Sequence, residues 1–133
     1  MNPLDSVNLP PLMERSRGSS RIVVAMIDGP VAMGHADLAA GNIREVPGTR
    51  GACANADSVA CRHGTFVAGI LCATRGSPAP AICPSCMVLV RPIFPDSTSV
   101  NGSMPSATPE ELAAAILECI EPQSWPNSRR FQS

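Results

Sequence analysis

A chain of 133 residues is long enough for one domain with a real core and short for a hydrolase built on a large parallel sheet. Its 44% hydrophobic and 16% charged residues exclude a chain solvated and disordered throughout, while 14 prolines and 10 glycines predict many loops. A formal net charge of −1, with the ten Lys and Arg scattered along the chain, leaves no field to attract nucleic acid or an anionic membrane, so neither is expected as a partner.

Residues 1–20 mix Pro3, Pro10 and Pro11 with Ser, Arg and Glu14 and hold no sustained period, which predicts a flexible leader. The apolar run Ile22 to Ile27 that follows is too short for a membrane span or the hydrophobic part of a secretory signal. A cytoplasmic location is then the default, and the six cysteines are expected to be mostly reduced thiols. The same run is rich in β-branched residues and stops at Asp28-Gly29-Pro30, as a strand buried on both faces of a parallel sheet would. Asp28 stands at its carboxyl end, where open α/β sheets gather ligands and catalytic groups.

From Gly41 to Arg62 the chain is polar and Gly-rich, a surface loop with a short strand near Asn42 to Val46. Arg62 to Ala73 then reads as a buried helix opening at His63, with Phe66/Val67 and Ile70/Leu71 at helical spacing and Ala68 and Gly69 allowing close packing. Met87 to Phe94 is a second buried β run, closed by Pro92 and Pro95. After a Ser/Asn/Gly/Pro loop, Thr108-Pro109-Glu110-Glu111 supplies an N-cap, a first-turn proline and a glutamate three residues after the cap. Leu112, Ala113, Ile116, Leu117 and Ile120 form an apolar stripe on the helix so begun. Strand and helix alternate, which predicts an α/β fold with a parallel sheet and flanking helices over 21–121. The tail 122–133 is polar, carries two prolines and is expected to be disordered.

Two segments carry chemistry together: Ile27-Asp28-Gly29-Pro30-Val31, with His35-Ala36-Asp37-Leu38 behind it, and His63-Gly64-Thr65-Phe66-Val67-Ala68-Gly69-Ile70. They resemble the Asp and His motifs of subtilisin-like serine proteases (peptidase S8), in the family's order. Ala79-Pro80-Ala81-Ile82-Cys83-Pro84 with the strand after it, and Thr108 to Glu121, resemble the elements that follow in that family. Gly-Pro-Val after Asp28 and the Val-Arg-Pro-Ile-Phe strand look most like the cyanobactin-maturation type. The resemblance covers residues 20 to 121 and implies a partial subtilisin-like sheet. It also implies a serine endopeptidase whose substrate is a peptide or protein, with Asp28 orienting the imidazole and His63 as the base. No cofactor is implied.

The same resemblance implies an oxyanion Asn and a nucleophilic serine far beyond the His, yet only 70 residues follow His63. The domain is therefore expected to break off early, by an early stop, a frameshift or an incomplete gene. No nucleophile is expected in this chain, and the missing C-terminal part of the domain is the second partner the resemblance implies. Asn101-Gly102-Ser103-Met104-Pro105 echoes the serine motif but lacks the Thr before the Ser and opens no helix, so Ser103 is not read as the nucleophile.

Other residues have plainer readings. His35 sits in a loop and is expected to make a turn contact. Asp37 matches a calcium ligand of some relatives, but a hard cation needs six or more oxygens and no metal is assigned. Cys83-Pro84-Ser85-Cys86 is a C-x-x-C that leads into a strand rather than a helix, unlike a thioredoxin-type pair, and Cys72 and Cys119 fall on apolar helix faces. Two readings compete with the protease. One is a non-catalytic peptide-binding or interaction protein, and the other is a zinc module using Cys53, Cys61, Cys83 and Cys86.

Overall fold

Central to the computed structural model is a run of three residues, Val88-Leu89-Val90, each no more than 1% exposed. They lie in β3 (Met87–Pro92), the middle strand of a three-stranded parallel sheet ordered β1-β3-β2, with β1 spanning Val23–Asp28 and β2 spanning Ile43–Glu45. The structure describes residues 3–38, 42–46, 53–96 and 106–121. Ser103 and Asn101, like the tail 122–133, lie outside the described residues.

A strand covered on both faces needs apolar residues at successive positions, which is why Met87 to Val90 of β3 is an unbroken apolar run. Alternation along the strands sorts them into two clusters. Val88 and Val90 join Met26, Val31, Ala68 and Cys72 beneath α3 (Val59–Cys72), while Leu89 joins Cys119, Val46, Val23 and Ile27 beneath α4 (Pro109–Ile120). One helix therefore packs on each side of the sheet. The register sets Asp28 opposite Pro92, and the Ile93 amide donates to the Asp28 carbonyl at 2.9 Å, so the carboxyl ends of the two strands finish level.

The helices pack through smaller residues than their apolar patterns predict. On α3 the buried positions are Ala60, Cys61, Gly64, Ala68 and Cys72, with Val67 and Leu71 partly buried behind them. Phe66 and Ile70 point away, 68% and 41% exposed, and line a groove of about 1180 Å³ together with Leu4, Val7 and Pro80. On α4 the buried residues are Ala115 and Cys119, whereas Leu112, Ile116, Leu117 and Ile120 face outward. The Thr108 capping box is formed in full: its side chain accepts from the Glu111 amide and Glu111 accepts from the Thr108 amide. A bidentate ion pair, Arg91 Nε to Glu118 Oε2 at 2.6 Å and Nη2 to Oε1 at 3.1 Å, then fastens α4 to β3.

Residues 3–20, expected as a flexible leader, carry two short helices, α1 (Pro3–Ser6) and α2 (Pro10–Arg15), with Met13 buried. Arg75 fastens the second of them. Its guanidinium donates to the carbonyls of Met13 and Ser16 on the leader and of Ala81 and Ile82 on the approach to β3. No periodicity in the leader announces this, because the anchoring donor lies some sixty residues away in the chain. Among the described residues no helix is long and apolar enough to cross a membrane.

Candidate functional site

The carboxyl end of β1 and the first turns of α3 meet through backbone, not through side chains. A Cβ on Gly64 would lie 2.5 Å from the Gly29 carbonyl oxygen and 2.8 Å from its carbon, and one on Gly29 would lie 2.7 Å from the Ala60 carbonyl carbon. Only glycine at both positions permits this approach. Thr65 secures the contact from the next residue, its Oγ1 accepting from the Ala32 amide at 2.9 Å. The loop after Asp28 is thereby stitched to the helix that carries His63.

The approach brings the two residues singled out in the sequence into contact. His63 Nδ1 lies 2.8 Å from Asp28 Oδ1, and the same oxygen accepts from the Gly29 amide at 2.5 Å. The carboxylate side chain is 17% exposed and the imidazole 62%, so the orienting group is sheltered and the ring faces outward. With Nδ1–H donating a hydrogen bond to Asp28, the lone pair resides on Nε2, the nitrogen that can take a proton from a further group. His35 is not part of this pair. Its Nδ1 accepts from the Asp37 amide at 3.2 Å within its own turn.

Helix α3 begins at Val59 and not at His63, which is its fifth residue. The four residues before the motif continue the helix because Ser58 caps it, accepting from the Cys61 amide at 3.1 Å. The polar loop expected to run to Arg62 thus ends at the cap. Ser58 in turn donates to Asp96, whose other oxygen accepts from the Ala54 amide at 2.6 Å and the Asn55 amide at 2.7 Å. Partial burial pushes the Asp96 carboxyl up, but the bonds from Ser58, Asn55 and Ala54 prevail and hold it below the usual carboxylate range. Sequence reasoning missed Asp96. The available signal was its place just past the carboxyl end of β3, beside that of β1.

The cysteines depart from expectation in one respect. Cys53 and Cys61 are joined as a disulfide, with Cα atoms 5.6 Å apart, so these two are not reduced thiols. The Cys53 amide bonds to the Val31 carbonyl, and Asp96 grips the next two amides, which brings the loop to the first turn of α3. Sulfurs bonded to each other are not zinc ligands, and among the described residues no three His, Cys, Asp or Glu side chains are placed to hold a metal ion. The four-cysteine zinc reading falls on that geometry. Cys72 and Cys119 are core residues, and burial pushes the Cys72 thiol up to about 11, with Cys83 adding to the shift.

Comparison with solved structures finds chains of similar fold. A serine-to-alanine variant of the protease domain of PatA superposes with a TM-score of 0.67 at 30% identity, over 78% of this chain and 36% of that one. The prenylagaramide maturation protease PagA gives a TM-score of 0.66 at 28% identity, over 84% of this chain and 35% of that one. The chain shares the fold of subtilisin-like maturation protease domains. The patellamide maturation protease PatA agrees at a TM-score of 0.57 and 28% identity, over 77% of this chain and 34% of that one. The chain thus spans about a third of the length of the solved protease chains it matches. No protein-family model matches it, and no curated protein does.

Proposed function

We propose that this chain is the Asp- and His-bearing part of a subtilisin-like serine endopeptidase, which cleaves peptide bonds by acyl transfer to a serine on another stretch of the domain. The observation that carries the reading is the 2.8 Å contact between His63 Nδ1 and Asp28 Oδ1, built from a strand end and a helix that meet through two glycines. In this reading Asp28 fixes the imidazole tautomer and stays ionised. Nε2 of His63 takes the serine hydroxyl proton as oxygen attacks the scissile carbonyl, then returns it to the leaving amine. Asp28 stabilises the imidazolium between those two transfers. The rest of the domain would supply the serine and the donors for the oxyanion, so the chain by itself has negligible hydrolytic activity.

A chimera tests this. This chain replaces the matched part of PagA, and hydrolysis of a maturation-site peptide is followed. Hydrolysis that is lost in His63→Ala and in the serine variant of the PagA part, but unchanged in Ser103→Ala, supports the assignment. Hydrolysis indifferent to His63 refutes it. A folded chimera that binds the peptide without cutting it favours the non-catalytic peptide-binding role instead.

A further inference from the structure

Cys83 and Cys86 are used by nothing described so far, and the fold brings their side chains together. The Cys86 amide donates to the Cys83 carbonyl at 3.0 Å, closing a four-residue turn just before β3. A turn of this kind keeps its end Cα atoms within about 7 Å, overlapping the span a disulfide bridges. A second measure shows the side chains on one side of the turn: a Cβ built on Gly18 would meet Cys86 Sγ and would lie 3.2 Å from Cys83 Cβ. Gly18, at φ +80°, is thus the backbone lid over the pair. The turn is also the leader's seat, since the Ser85 amide donates to the Arg17 carbonyl at 2.8 Å.

We propose that Cys83 and Cys86 are an oxidisable pair that closes to a second disulfide by exchange with a small-molecule disulfide such as glutathione disulfide, cross-linking the turn on which the leader rests. Cys83 is the partly exposed member and Cys86 the buried one, which sets the order of events. The Cys83 thiolate attacks one sulfur of glutathione disulfide, forming a protein–glutathione mixed disulfide and expelling one glutathione thiolate. The Cys86 thiolate then attacks the Cys83 sulfur and expels the second. Two protein thiols are oxidised, one glutathione disulfide is reduced to two glutathiones, and the two protons end on those thiols. Burial first, and then the neighbouring Cys86, leave the Cys83 thiol above its ordinary value, with Arg75 the one charge that opposes the shift, so the exchange is expected to quicken as pH rises. Cys72 is set apart from this exchange, buried and donating to the Ala68 carbonyl at 3.2 Å.

The full chain is incubated in glutathione buffers of graded ratio, quenched in acid, alkylated and digested with trypsin and Asp-N, which leaves both cysteines on the peptide spanning residues 76–95. The expected product is that peptide lighter by two hydrogens and closed to alkylation, with Cys86→Ser trapping a glutathione adduct on Cys83. Oxidation should also slow tryptic cutting after Arg15 and Arg17 several-fold. Cys83 and Cys86 both alkylated after oxidation, or Cys83 bridged to Cys72, would overturn the pairing. A cross-link that leaves leader cleavage unchanged would overturn its coupling to the leader.

Discussion

Gly64→Ala should both destabilise the chain and part Asp28 from His63. The added methyl would sit 2.5 Å from the Gly29 carbonyl oxygen, where ordinary contact begins at 3.4 Å, so α3 and the end of β1 must separate by about 1 Å. Its other close neighbours are also backbone atoms, of Gly29 and Pro30, and no rotamer change relieves the clash. Overpacking of this kind costs about 2 kcal/mol. A shift of that size stretches a 2.8 Å hydrogen bond beyond useful length. Gly69→Ala is the matched control: it lies on the same helix, a Cβ there meets nothing within 4 Å, and the better helix former should add up to about 1 kcal/mol. Urea unfolding of the two variants gives the stability difference, and the downfield proton resonance of a bonded His63 Nδ1–H reports the pair. Equal unfolding midpoints for the two variants, with that resonance retained in Gly64→Ala, would refute the view that glycine contacts position the site.

Four further outcomes are expected. In the active chimera, Asp28→Asn should lower kcat by on the order of 10⁴-fold with KM little changed, because the amide favours the wrong imidazole tautomer; steady-state kinetics on the peptide check it. Arg75→Gln removes the donors to the Met13 and Ser16 carbonyls, so trypsin should cut after Arg15 and Arg17 at least several-fold faster than in the parent. Thr108→Ala breaks the capping box of α4 and should cost about 1 kcal/mol in urea unfolding. Arg91, through its hydrogen bonds first, holds the Glu118 carboxyl below its ordinary 4.5 against a smaller push from burial. That contribution is present above the unfolded pKa and fades as pH falls through the lower folded one, because the unfolded chain takes up the proton first. Since Glu118 is 39% exposed the pair is worth no more than about 1 kcal/mol, and Glu118→Gln should therefore fall below the parent near pH 7 by a margin that narrows as pH drops below the ordinary carboxylate range.

Much of this was legible in the residues because it is local. The β1 and β3 runs read as buried strands since both faces of the sheet are covered, and the α4 start read correctly since Thr108, Pro109 and Glu111 each act within one turn. Asp28 and His63 stood out as a pair through their motifs, and the structure places them in contact. What escaped depends on distant partners. The leader looks formless until Arg75 is placed against it, and the Cys53–Cys61 bridge depends on how Asp96 folds the loop. The large apolar residues of α3 and α4 misled for a different reason. Periodicity locates an apolar stripe, but it does not reveal that a close helix–sheet approach selects the neighbouring small-residue face.

That last point bears on how the site is built. If bulky side chains held α3 off the sheet, the position of His63 over Asp28 would depend on how a whole core packed. Here the spacing is set by Gly29 and Gly64 in direct backbone contact, by the Thr65 bond to Ala32 and by the Ser58 cap that Asp96 holds. All of these lie between residues 28 and 96. The contacts that specify the Asp–His geometry are thus close at hand in the chain. The exposed apolar residues of α4, Leu112, Ile116 and Leu117, lie on a different helix from these contacts. A chain of this length can thus hold an oriented imidazole in advance, and in the function proposed above what another stretch of the domain would add is the serine and its oxyanion donors, not the base.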